Sequence, residues 1–210
     1  SVHWVMAETG LDLSKLSQLG GHSRRRTHRV PDKPDGSPVP IGFSIMKKLG
    51  DKIGSPEFAD SITVRTGSRV TKLLTAEAEG RTVVTGVEIA NGESEMAEEI
   101  LASRVIITTG GFANDHSATS LLKEFKPELE KTPTTNGDWA TGDGIKLARS
   151  VGAALVDMDK VQLHPTGMIH PKKPSDRTKF LGPEALRGSG GVLLNNNGER
   201  FCNELGLRSE

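Results

Sequence analysis

The last third of the chain holds cations and acids of the types that chemistry on an anionic substrate uses. Gln162-Leu-His-Pro-Thr166 places an imidazole, His164, at the end of an apolar run and just before a proline. Strand ends are where sites of α/β proteins lie. Glu184-Ala-Leu-Arg187 sets an acid and a base three residues apart, the pairing distance of a helix. Arg200 and Arg208 follow, with Glu204 between them. His164, Arg187 and Arg208 could together form a positive pocket around an acidic substrate. Each also has a plainer reading. A lone histidine at a strand end is commonly structural, an exposed ion pair contributes almost nothing, and mixed charges often mark a solvated face.

Two glycine-bearing segments carry a second kind of chemistry. Arg104-Val-Ile-Ile-Thr-Thr-Gly-Gly-Phe112 reads as a buried strand running into the pair Gly110 and Gly111. Glycine lets backbone approach a flat ligand or a phosphate closely, and a tight strand-to-loop turn is the alternative. Thr141-Gly-Asp-Gly144 brackets an acid at a helix start. Capping by Thr141 and Asp143 explains it without a ligand; the functional reading is Asp143 bonded to a cofactor hydroxyl. No G-x-G-x-x-G occurs, so the usual pyrophosphate fingerprint is missing. The densest basic run, His22-Ser-Arg-Arg-Arg-Thr-His-Arg29, invites a nucleic-acid reading. The neutral chain and the lack of an aromatic stripe beside the run argue against it.

The elements that must position these residues follow from pattern. The 210 residues, 34% hydrophobic and 26% charged, describe a globular chain of one to two domains. Its 24 Gly and 11 Pro mean many turns. No apolar run approaches the roughly 20 residues of a membrane helix. Lys plus Arg and Asp plus Glu are both 27, which disfavours a general polyanion binder. The single Cys202 excludes an intramolecular disulfide or a cysteine-rich zinc module and suits a reducing compartment. Short helical turns are expected around Leu11, Leu13, Leu16 and Leu19, and an amphipathic helix over 40–53. A short strand is expected at Ile62 and Val64. A β meander follows, with strands near 69–75, 82–89 and 95–101 and a turn at Asn91-Gly92. Apolar strands at 104–109 and 154–163, the first covered on both faces, flank helices over 117–125 and from Thr141 to Gly152. Composition shifts near 165 to a Pro/Lys-rich loop.

In order, Gly20-Gly-His-Ser23, Thr27-His-Arg29, Ile107-Thr-Thr-Gly-Gly-Phe112, Thr141-Gly-Asp-Gly144, Gln162-Leu-His-Pro-Thr166, Glu184-Ala-Leu-Arg-Gly188 and Asn195-Asn-Asn-Gly-Glu-Arg-Phe201 resemble the flavoprotein of the fumarate reductase/succinate dehydrogenase family. The resemblance spans essentially the whole chain and is closest to the soluble, FAD-dependent fumarate reductases. It implies an α/β fold: a FAD-binding domain of the two-dinucleotide-binding type with a β meander over 1–164, and the start of a substrate-capping domain over 165–210. It also implies that the chain is a fragment. The family's glycine fingerprint and a second substrate His and Arg are expected beyond its ends, so the isolated piece is expected to bind FAD weakly or not at all and to be inactive.

The resemblance further implies reduction of fumarate to succinate with FAD as cofactor. His164 matches the histidine that binds a substrate carboxylate. Glu184 and Arg187 match a proton path, with Glu184 also at the substrate edge, and Arg208 matches the arginine that protonates the substrate carbon. Gly20, Gly21, Val70, Gly110, Gly111 and Asp143 fall where the family contacts FAD. Pro183 departs from the pattern, since relatives often carry a Thr whose hydroxyl reaches the substrate. The electron donor is expected outside this chain, as an NADH domain, a haem domain or a quinone-linked subunit; neither nucleic acid, metal nor a membrane span is expected. Sister readings are a flavoprotein that oxidises succinate or L-aspartate, and a non-catalytic flavin-fold interaction module.

Overall fold

The structure, a computed structural model, describes residues 2–92 and 97–206. In chain order the elements are α1 (Val2–Thr9), β1 (Lys15–Ser17), β2 (Thr27–Arg29), α2 (Ile41–Ile53), β3 (Ser68–Ala78), β4 (Arg81–Asn91) and β5 (Ala97–Leu101). They continue with α3 (Leu121–Phe125), α4 (Asp143–Ser150), β6 (Gly167–Met168), β7 (Phe180–Leu181) and α5 (Glu184–Gly188). The chain divides into two compact units, one of Ser1–Val64 with Gly182–Glu210 and one of Arg65–Leu181.

In the first unit, α1 occupies the N-terminus and stops at Gly10, whose φ of 66° an L side chain rarely adopts. Helical turns expected around Leu11–Leu19 are therefore absent. Leu13 is buried, and Lys15–Ser17 pairs antiparallel with Thr27–Arg29. Here leucine spacing loses to tertiary pairing, which outweighs helix propensity in so short a run. The helix expected over 40–53 forms as α2, begun by Pro40. Its Lys52 pairs with Glu8 of α1. The strand expected at Ile62 and Val64 does not form; a 3-10 turn at Pro56–Phe58 precedes irregular chain there.

The second unit is built on the expected meander. β3, β4 and β5 pair antiparallel in sequence order, with Val70 opposite Ile89 and Val87 opposite Ile100. Leu73 and Ile89 are buried apolar side chains of the meander. The link between β4 and β5 includes 93–96, which lie outside the described residues.

The apolar segments 104–109 and 154–163 are not strands among the described residues. Ile106 is 85% exposed and Val156 78% exposed. β-branched composition makes a segment fit a sheet, but a strand needs a hydrogen-bonded neighbour, and among the described residues neither segment has one. The helix expected over 117–125 is shortened to α3, because Asp115 and Ser120 spend the preceding residues on a capped turn. Ser120 Oγ accepts from the Lys123 amide at 3.1 Å. Thr141 does not cap α4. The N-cap is Gly142 at φ 70°, and the Thr141 hydroxyl donates to Asp143 Oδ1 at 2.9 Å instead.

Candidate functional site

Within the second unit, α4 and β3 bring together two of the residues expected to contact a cofactor. Val70 of β3 and Asp143 of α4 line one groove with Arg69 and Lys146. Asp143 Oδ2 accepts from Arg69 Nη2 at 3.0 Å, an exposed pair worth little by itself. A carboxylate in the first turn of a helix is favoured by the helix dipole and can accept from a ligand hydroxyl. Gly110 and Gly111 are tied to this helix start through a backbone bond, Gly142 N–H to Gly111 O at 3.0 Å. A Cβ built on either glycine would meet nothing within 4 Å, so their backbone is open to close approach. At Gly144 the reverse holds, since a Cβ there would strike Thr109 and Ile107. That contact fixes α4 against the segment that carries the glycine pair. These residues fit an extended, hydroxyl-bearing ligand such as FAD.

What orients this corner is a residue that pattern reading passes over. Asp115 is fully buried, at 0% exposure. Its carboxylate accepts from Lys146 Nζ at 2.8 Å, Ser117 Oγ at 2.7 Å and the Leu121 amide at 2.8 Å. Burial works to raise its pKa, but Lys146, the Ser117 hydroxyl and the Leu121 and Ser117 amides together hold it below the usual carboxylate range. A signal is present in the sequence: Asn114-Asp115 follows Gly-Gly-Phe and one alanine, with serines two and five residues after the aspartate, the spacing of a carboxylate-capped turn.

His164 is half-buried in the same unit. Its Nδ1 accepts from the Thr166 amide at 3.3 Å, so the neutral ring carries its proton on Nε2. An Nε2–H is the donor that a substrate carboxylate would need. His164 lines a cavity of about 300 Å³ with Thr134, Thr135, Gln162 and Lys179, walled by Leu122 and Leu129. Thr134 is held by the chain on both sides, its amide donating to Arg177 O at 3.1 Å and its carbonyl accepting from the Lys179 amide at 2.7 Å.

The first unit holds the acid–base pair. The Arg187–Glu184 contact of 3.5 Å is not a surface ion pair, for Arg187 is only 5% exposed. Its Nη1 donates to the Glu204 carbonyl at 2.9 Å. Gly20, one of the expected cofactor residues, is buried against this guanidinium: a Cβ there would lie 3.1 Å from Nη1. Gly21 follows at φ 72° in the link between β1 and β2. Pro183 begins α5 with no side-chain cap, as its lack of a polar side chain requires.

Gly188 seats α5. A Cβ there would lie 2.5 Å from the Gln18 carbonyl oxygen and 3.0 Å from Leu19 Cα. Gly188→Ala, which helix propensity alone would favour, is expected to destabilise the unit by about 1–3 kcal/mol through this backbone clash. Chemical denaturation of the purified variant checks the sign.

Glu204, which in sequence only lies between two arginines, is held from several sides. Its carboxylate accepts from the Leu193 amide at 2.8 Å and from Arg200 Nη2 at 2.5 Å. The Arg200 guanidinium, then the Leu193 amide, lower its pKa to about 2. Arg208 lies outside the described residues. Among the described residues no cluster of His, Cys, Asp or Glu could hold a metal ion, and no helix is long and apolar enough to cross a membrane.

The chain is 43% identical over 99% of its length to a fumarate reductase of Schizosaccharomyces pombe, of which it covers 39%. It is 40% identical over 99% of its length to fumarate reductase 1 of Saccharomyces cerevisiae, of which it covers 42%. The open conformation of a flavocytochrome c3 fumarate reductase superposes with a TM-score of 0.70 at 29% identity, over 99% of this chain and 33% of that one. The chain thus spans about two fifths of the length of the fungal relatives. Residues 2–210 match the model of the FAD binding domain family. With a fold shared along its length and an acid-bearing helix start beside an open glycine pair, the chain belongs to the FAD binding domain family.

Proposed function

We propose that the protein to which this chain belongs reduces fumarate to succinate using FAD. The observation that carries the reading is 40–43% identity to two fumarate reductases along 99% of the chain. Asp143, Val70, Gly110, Gly111, Gly20 and Gly21 would contact FAD. When bound, the flavin supplies a hydride to one alkene carbon. His164 would hold a substrate carboxylate through its Nε2–H. Arg208 would place a proton on the other alkene carbon. A guanidinium suits this because its pKa above about 12 keeps it loaded at neutral pH, and its charge favours the developing carbanion. Glu184 and Arg187 would return the proton to Arg208. Burial of Arg187 beside Glu184 supports that role, since a proton path must exclude bulk water from its carriers. In this reading residues from 165 onward begin the domain that closes over the substrate, and the electron donor lies outside the chain.

The experiment is a steady-state assay of the full-length protein with FAD, reduced viologen and fumarate. Fumarate-dependent oxidation of the dye with succinate as product is expected. A full-length, flavin-loaded protein that leaves fumarate untouched would refute the reading and favour an interaction module.

A further inference from the structure

We propose that Glu204 is a positioning residue for Arg187: its clamped side chain fixes the backbone carbonyl to which the buried guanidinium is hydrogen-bonded. The inference rests on the reading of Arg187 as part of a proton path, but its geometry is independent of that reading. Arg187 is almost fully buried, and among the described residues its Nε and Nη2 have no hydrogen-bond partner, Nη2 lying 3.5 Å from Glu184 Oε1. The hydrogen bond that orients the guanidinium is therefore Nη1 to Glu204 O at 2.9 Å. A long, flexible side chain is placed only as well as the acceptor that receives it.

That acceptor sits on chain without regular secondary structure. Residues 201–206 form bends and turns, and Cys202 and Asn203 just before Glu204 are exposed. Glu204 is the exception, only 4% exposed. Three donors converge on its carboxylate. Leu193 N–H and Arg200 Nε reach Oε1 at 2.8 and 3.3 Å, and Arg200 Nη2 reaches Oε2 at 2.5 Å. Leu194 and Arg200 also form a β bridge, so these donors come from one small hairpin around Asn195–Asn197. The carboxylate thus pins the 201–206 segment to the hairpin, and the same residue's carbonyl presents itself to Arg187. Charge-assisted bonds of this kind are the stronger ones, and an acceptor lost from a buried site leaves its donors unpaired.

The test uses the full-length, FAD-loaded protein and compares wild type with Glu204→Ala and Glu204→Gln. The side-chain amide of the glutamine variant keeps an oxygen for Leu193 and Arg200, whereas alanine removes it. Glu204→Ala is expected to lower kcat for fumarate by about 100-fold, the order that a small misplacement of a reacting group produces. KM for fumarate should move by no more than about twofold. Glu204→Gln should restore most of kcat. An activity-free readout accompanies this: the Nε–H resonance of Arg187 in 15N-arginine-labelled protein, assigned with Arg187→Lys. Its exchange with solvent should accelerate in Glu204→Ala and stay slow in Glu204→Gln. Unchanged Arg187 exchange in a folded Glu204→Ala protein would overturn the proposal, as would a loss confined to KM. If Glu204→Ala does not fold, the same exchange measurement on Glu204→Gln and Arg200→Ala decides: faster exchange in Arg200→Ala is expected, and unchanged exchange there overturns the proposal. If wild type itself leaves fumarate untouched, the functional reading fails, and the exchange data still decide the role of Glu204.

Discussion

Arg208→Lys is expected to lower fumarate reduction by about 10²–10⁴-fold, the range attributable to a positioned proton donor, while FAD content stays at the wild-type level. On the proposed assignment the substrate carbon becomes a carbanion stabilised only by its neighbouring carboxylate, and is strongly basic. Nearly any acid could protonate it thermodynamically, so geometry and readiness decide the rate. The guanidinium is planar and always charged, with several N–H groups set in a fixed fork. A lysine ammonium is a compact donor on a flexible stem. It would preserve the charge that holds a dianionic substrate, so KM should rise less than kcat falls. Anaerobic stopped-flow with prereduced flavin separates the two, and turnover in Arg208→Lys equal to wild type would remove Arg208 from the donor role.

The second large effect is on stability. Asp115→Ala is expected to destabilise the 65–181 unit by about 3–5 kcal/mol, the cost of breaking a buried ion pair from one side. The substitution removes the ion-pair partner of the Lys146 ammonium and leaves the Leu121 and Ser117 amides without their acceptor. Asp115→Asn keeps an oxygen and should lose less. The pH dependence has a definite sign. Because the folded carboxyl titrates below its ordinary value of 3.8, the stability it contributes is complete above about pH 4 and disappears as pH falls through the lowered pKa. Wild type and Asp115→Asn should therefore converge in acid and diverge toward neutrality. Equilibrium urea curves measured at several pH values test this, and a gap between the two proteins that persists in acid would exclude the charge as its source. Lys146 also lines the Asp143 groove, so FAD affinity should weaken in Asp115→Ala as well.

Asp115 also marks where sequence reading stops. The meander, α2 and the helix after Thr141 are legible because alternation and amphipathic spacing are local signals. The segments 104–109 and 154–163 read as strands and are not, because strand formation depends on partners that pattern does not reveal. Of the candidate site, Val70, Asp143, Gly110 and Gly111 are grouped by the family resemblance, and the structure sets Val70 and the glycine pair beside the helix start that carries Asp143. Asp115 and Glu204 escape for a common reason. A buried carboxylate looks like a surface one in sequence, since the donors that converge on it come from other segments.

The unpaired apolar stretch ending at Gly110 has a practical corollary. Ile106 lies bare on backbone that no ladder engages among the described residues, and such a stretch pairs readily with its own kind. Concentrated solutions of these 210 residues alone should grow cross-β aggregates, and a charged substitution at Ile106 should suppress them.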